Sequence, residues 1–139
     1  MLKQAITNEE IQKCFPVMAE LRPHLKAESF LDLVRYMETE GFKMVYIEQA
    51  EEVVAVASYR IFTNLFMGKN LYVDDLVTSE SVRSKGYGET LVSWLRSQAI
   101  ENECAFFHLD SGTQRHQAHK FYFKQGFTIA SYHFSENLI

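Results

Sequence analysis

Residues 71 to 95 run Leu71-Tyr-Val-Asp-Asp-Leu-Val-Thr-Ser-Glu-Ser-Val-Arg83-Ser-Lys-Gly86-Tyr-Gly88-Glu-Thr-Leu-Val-Ser-Trp-Leu95, a strand, a donor-rich turn and a helix that starts at two glycines. A helix from Gly86 to about Asn102 puts Leu91, Leu95 and Ala99 at four-residue spacing, the face that covers a sheet. Ala105 to Leu109 then reads as a buried strand. The unit is βαβ, so its two strands run parallel and its crossover is right-handed. The turn itself has the layout of an anion site. Glycines let backbone N–H groups approach a phosphate, the helix N-terminus adds about half a positive charge, and Arg83 and Lys85 add full ones. The stretch predicts a phosphorylated cofactor.

The rest of the chain reads as one domain, residues 1 to 139, with no repeat, low-complexity tract or Pro/Gly/Ser linker to divide it. Leu2 to Ile6 is a short strand. Thr7-Asn-Glu-Glu10 is a capping box, which opens a helix from Asn8 to about Leu21. Pro23 interrupts, and Ser29 opens a second helix with Phe30, Leu33, Val34 and Met37 on one face and Gly41 at its end. Phe42 to Glu48 and Val53 to Ile61 form a hairpin, and Leu71 to Thr78 is the central strand. Arg115 to Gln125 is a helix ended by Gly126, followed by a last strand from Phe127 to Phe134.

Composition narrows the function. A chain of 139 residues buries roughly two-thirds of its unfolded surface without metal or disulfides. A net charge of -4 argues against a nucleic-acid partner and suits a cationic small substrate. Cys14 and Cys104 match neither C-x-x-C nor zinc spacing and read as reduced core thiols, which points to the cytoplasm. No apolar run has signal-peptide or membrane-spanning length, so neither secretion nor a membrane partner is expected.

Two motifs then resemble a known family. Arg83-Ser-Lys-Gly86-Tyr-Gly88 is similar to the pyrophosphate loop of the GNAT superfamily of acyl-CoA N-acyltransferases, and Ala118-His-Lys-Phe-Tyr122-Phe-Lys-Gln-Gly126-Phe127 to its A-x-x-F-Y-x-x-x-G-F segment. The order and spacing of the two carry the resemblance over almost the whole chain. The Leu-Asp-Ser-Gly112 turn resembles bacterial members described as small-amine or histone-type acetyltransferases. The resemblance implies an α/β (α+β) fold, a central twisted mixed β-sheet flanked by about four helices. It also implies acetyl-CoA as the acetyl donor, without a metal, and a small-molecule amine as acceptor.

By the same resemblance, the strand before the loop is bulged and lends backbone groups of Leu76, Val77 and Thr78 to the pantetheine arm. N–H groups from Ser84, Lys85, Gly86, Tyr87 and Gly88 take the pyrophosphate, with Arg83 beside it. Where many members carry Asn, this chain has Arg115, which meets a phosphate or a substrate anion. Tyr122 matches the position whose hydroxyl donates to the thiolate, a phenol with pKa ~10 against a thiol near ~8.5. Asp74, two residues before Leu76, is the expected base; Asp75, a histidine or a water chain are the alternatives.

Other readings of these residues remain. Gly86-x-Gly88 after a strand also suggests a dinucleotide-binding half-domain, but the third glycine of that fingerprint would fall at Leu91. His116 and His119 form at most half a metal site. An idle acetyl-CoA sensor on the same fold is the rival function. Phe62, Leu65, Phe66 and Met67 make the expected Phe62 to Asn70 loop unusually apolar, either lining an acceptor pocket with Tyr72 and Asp74 or covering a neighbouring subunit. A homodimer is expected through the C-terminal strand ending His133-Phe-Ser-Glu-Asn-Leu-Ile139.

Overall fold

In the computed structural model, which describes residues 1–139, a mixed sheet of five strands lies between helices on its two faces. The strands are β1 (Leu2–Gln4), β2 (Lys43–Gln49), β3 (Glu52–Asn64), β4 (Gly68–Thr78) and β5 (Phe106–Leu109). The helices are α1 (Asn8–Lys13), α2 (Phe15–Leu21), α3 (Ala27–Glu38), α4 (Tyr87–Glu101) and α5 (His116–Lys124). Spatial order equals chain order, β1-β2-β3-β4-β5, and only the β4/β5 pair is parallel, as a βαβ crossover requires.

Each face has its own core. Ile11, Met18, Phe30, Val34, Met44, Tyr46, Val56 and Val77 pack together under α1 to α3. Val45, Ala57, Leu71 and Val73 pack against Leu91, Leu95 and Ala99 of α4, the face expected from their spacing. On α3, Phe30 and Val34 reach the core while Leu33 stays exposed.

The Thr7 capping box forms, with Glu10 N–H donating to Thr7 Oγ1 at 3.1 Å and Thr7 N–H donating to Glu10 Oε1 at 2.9 Å. The helix it opens does not run unbroken to Leu21. It stops at Lys13 and restarts at Phe15, because Pro16 has no N–H for the carbonyl four residues back and its ring crowds that carbonyl. The expected Phe62 to Asn70 loop is also absent. β3 continues to Asn64 and β4 begins at Gly68, leaving Leu65 and Phe66 exposed at the tip of a hairpin rather than in a pocket.

The last expected strand does not form: no residue after Leu109 belongs to the sheet. Phe127 docks on Phe107 with ring centroids 5.1 Å apart, and everything from Thr128 to Ile139 is exposed. Phe127 to Phe134 has the composition of a strand, but strand composition yields a strand only where a neighbouring backbone completes the ladder.

Candidate active site

β4 is irregular at one residue. Ser58 of β3 stands opposite Asp75, and the next residue, Tyr59, stands opposite Val73, so Asp74 is left over as a bulge. A bulge cancels the two-residue alternation. Leu76 packs into the core under α4, whereas Asp74 and Asp75 both meet side chains that neighbour each other on the opposite face. The expectation that Asp74 shares a face with Leu76 is corrected accordingly.

Arg60 Nε donates to both Asp74 oxygens, at 3.0 and 3.3 Å. Burial nevertheless raises the Asp74 pKa above the usual carboxylate range, with Arg60 opposing and Asp75 adding to the rise. Asp75 accepts Arg22 Nε at 2.8 Å and the Ser58 hydroxyl at 2.5 Å. Arg22, at the C-terminal cap of α2, also donates to the Asp74 carbonyl at 3.1 Å.

The bulge is also where the sheet parts. Pairing between β4 and β5 ends at Val73 and Leu109, and β4 continues to Thr78 paired with β3 alone. Alternate backbone groups from Leu76 through Val77 to Thr78 therefore face away from β3 with no strand to receive them. The cleft so opened is lined by Asp74, Asp75 and Leu76, by Leu109 at the end of β5 and Asp110 beyond it, by Arg115 and Tyr122 of the α5 segment, and by Arg22. Burial raises the Tyr122 pKa, and the Arg115 charge works against that rise. The phenol therefore remains a proton donor at neutral pH. Two residues expected to act on one reaction, Asp74 and Tyr122, line one cleft.

The turn before α4 has alternating backbone handedness. Ser84 has φ +72° and Gly86, the N-cap of α4, has φ +83°. Left-handed residues on either side of Lys85 turn successive N–H groups toward a common point, an anion-binding concavity at a helix N-terminus. Arg83, Ser84, Lys85 and Gly86 are all exposed there. Gly88 also serves packing. A Cβ on it would stand 3.2 Å from the Phe121 ring and 3.7 Å from Thr78 Oγ1, so this glycine lets α5 and the end of β4 close on α4.

Four further contacts complete this region. Glu20 of α2 accepts the Glu80 N–H at 2.9 Å and the Ser79 hydroxyl at 3.3 Å, fastening the start of the phosphate turn. An isolated glutamate on a helix gives no sequence signal for this. Tyr72 donates to Asp110 at 2.8 Å, and its pKa is raised by burial and by that carboxylate. His108 bonds Asn70 at 2.8 Å with its pKa lowered by burial, so it is neutral at physiological pH. His119 Nε2 meets the Gly112 carbonyl at 2.7 Å.

Comparison with known proteins bears on the family and the fold. The model of the acetyltransferase (GNAT) family matches residues 6–127. An uncharacterized N-acetyltransferase of Bacillus subtilis is 35% identical over 135 residues, covering 96% of this chain and 95% of that protein. Among solved structures, a transcriptional regulator from Bacillus halodurans superposes with a TM-score of 0.88 at 18% identity, covering 99% of both chains. A Trypanosoma brucei acetyltransferase does so with a TM-score of 0.82 at 19% identity, again over 99% of both.

Proposed function

This chain belongs to the acetyltransferase (GNAT) family, and from that premise we propose that it transfers the acetyl group of acetyl-CoA to a small primary amine by direct attack in a ternary complex. It is an acyltransferase. The single observation that carries the reading is the bulge at Asp74, which opens the sheet and brings that carboxylate and Tyr122 to one cleft.

The residues fit the donor. Pyrophosphate suits the Ser84 to Gly88 concavity flanked by Arg83 and Lys85, and the free backbone edge of Leu76 to Thr78 suits the amide-bearing pantetheine arm. Asp74 takes the proton from the acceptor ammonium, and its raised pKa brings it nearer the range of a useful base. The amine nitrogen bonds to the thioester carbonyl carbon as the C–S bond breaks, a backbone N–H of β4 stabilises the developing oxyanion, and Tyr122 gives its phenolic proton to the departing thiolate. Arg115, beside Tyr122 in the cleft, is suited to an anionic part of donor or acceptor.

An apolar cavity of about 340 Å³ supports an acceptor with an apolar portion. It is lined by Met18, Leu25, Phe30, Leu33, Met37 and Phe42, and it shares Arg22 and Asp75 with the cleft. Both cysteines are free, and burial pushes the Cys14 thiol up to about 12, which suits an enzyme of the cytoplasm.

A sensor that binds acetyl-CoA without turnover is the second reading. It is favoured by the arginines that already hold Asp74 and Asp75. Thiol release measured with acetyl-CoA and a panel of amines separates the two. Turnover with apolar primary amines supports the transferase; tight acetyl-CoA binding with no release for any amine supports the sensor.

A further inference from the structure

One ion pair stands between the cleft and the apolar cavity, since Arg22 and Asp75 line both. Of the ten residues around the cavity, Asp75 is the single carboxylate, and all but Arg22, His24 and Asp75 are apolar. An amine whose apolar body fills the cavity therefore meets one anion, and Arg22 already covers it.

Arg22 is held as an ammonium would be held. Its Nε donates to Asp75 Oδ1 at 2.8 Å and its Nη2 to the Asp74 carbonyl at 3.1 Å, the only hydrogen bonds the guanidinium makes. One carboxylate and one backbone carbonyl are also what two N–H groups of a primary ammonium can use. The two members of the pair are anchored unequally. The Asp75 side chain is 13% exposed, belongs to β4, and keeps the hydroxyl of the buried Ser58 on its second oxygen. The Arg22 side chain is 45% exposed and stems from the residue where α2 ends and the connection to α3 begins. Without Arg22 the carboxylate keeps its place. Without Asp75 and the Asp74 carbonyl, Arg22 has no partner.

We propose that Asp75 and the Asp74 carbonyl form the ammonium site of the acceptor, and that Arg22 is a stand-in cation which a primary amine with an apolar body displaces. The inference rests on the reading of the acceptor as a primary amine. The exchange conserves charge: one cation leaves Asp75 as another arrives, so the carboxylate is never left buried and unpaired, the costly outcome. A partly exposed ion pair is weak enough to be replaced. The body of the amine tips the balance, because each methylene buried in the cavity favours binding about fourfold. A small inorganic cation brings no such body and leaves Arg22 in place. With two N–H groups held by Asp75 and the Asp74 carbonyl, the third proton goes to the Asp74 carboxylate, which frees the nitrogen lone pair for attack. Arg22 competes with every amine alike, so it lowers all their affinities by one factor and leaves their ranking unchanged.

The Nε–H resonance of Arg22, assigned in the full chain by its loss in Arg22→Gln, reports the pair directly. Hexylamine hydrochloride should shift this resonance and speed its exchange with water. Tetramethylammonium chloride at the same concentration, a cation without N–H groups, should leave it alone and so controls for screening. Calorimetry should find butylamine and hexylamine bound more tightly to Arg22→Gln, both by the same factor of up to about five, the range of one partly exposed pair. Asp75→Asn should bind neither. The resonance is read in the native chain, so it decides the matter even if Asp75→Asn misfolds. A signal that hexylamine leaves unmoved overturns the proposal, even where amines are acetylated, and so does weaker amine binding to Arg22→Gln. Displacement of Arg22 without thiol release from acetyl-CoA for any amine upholds the site and overturns the transferase reading instead.

Discussion

Gly88 of α4 lies under the ring of Phe121 on α5 so closely that a Cβ there would approach its Cζ to 3.2 Å. The contact joins the helix whose N-terminus is proposed to face the donor phosphates to the helix that carries Tyr122, one residue beyond Phe121. In the proposed reaction, donor binding and proton donation therefore share a packing surface.

Gly88→Ala should push Phe121 outward and carry Tyr122 with it. Overpacking of this kind costs about 1 to 3 kcal/mol, so the melting temperature should fall and kcat should fall with it. A variant with normal melting and normal kcat would show that the ring yields without moving the tyrosine.

Gly86→Val acts on the backbone instead. Nothing stands within 4 Å of its would-be Cβ, but φ +83° is strained for a β-branched residue, so the N–H groups of the turn should lose their convergence. Titration calorimetry should find acetyl-CoA binding abolished with the fold retained. Arg83→Ala should weaken binding by about 1.5 to 3 kcal/mol at most, the range of one charge-assisted hydrogen bond.

Asp74→Asn should remove the rising limb of the kcat/KM pH profile while leaving acetyl-CoA affinity alone. In the native chain that limb should lie above the ordinary carboxylate range, because burial raises this pKa. Stability follows the same sign. A carboxyl with a folded pKa above its ordinary value of 3.8 favours the fold most strongly below that value and loses the contribution as pH rises through the folded pKa. An unshifted limb in Asp74→Asn would move the base to Asp75, to a histidine or to water.

Tyr122→Phe should lower kcat by roughly 10²-fold or more with cofactor affinity and melting temperature unchanged. The phenyl ring keeps its edge contacts with Phe121 and Phe127, 5.6 and 5.9 Å between centroids, so packing cannot account for a rate loss. A lower melting temperature with kcat intact would make Tyr122 a core residue.

The parts legible in the sequence were those with local causes. Glycine at positive φ, a hydroxyl three residues before a carboxylate, and four-residue apolar spacing each act within a few residues, and the β4–α4–β5 unit and the Thr7 cap appear where those signals stand. The bulge itself follows from the family resemblance, but the direction of Asp74 did not, because the alternation rule assumes one residue opposite one, and Asp74 has none. Pro16 was a local signal overlooked in favour of the capping box before it. The tail carried a strand signal whose partner edge is not encoded within its own residues. Gly88 looked like part of a phosphate motif, and only three-dimensional proximity shows Phe121 above it.

The Glu20 carboxylate bears on how separable the two halves of this protein are. It sits on α2, the helix whose end lines the acceptor side, yet what it grips is the Ser79–Glu80 backbone leading into the donor turn. Modules meant to be interchanged should meet only at inert surfaces, and these do not. An attempt to change acceptor choice by transplanting α1 to α3 from a relative must bring a carboxylate to this position, or the graft will loosen the donor turn while leaving every donor residue in the sequence untouched.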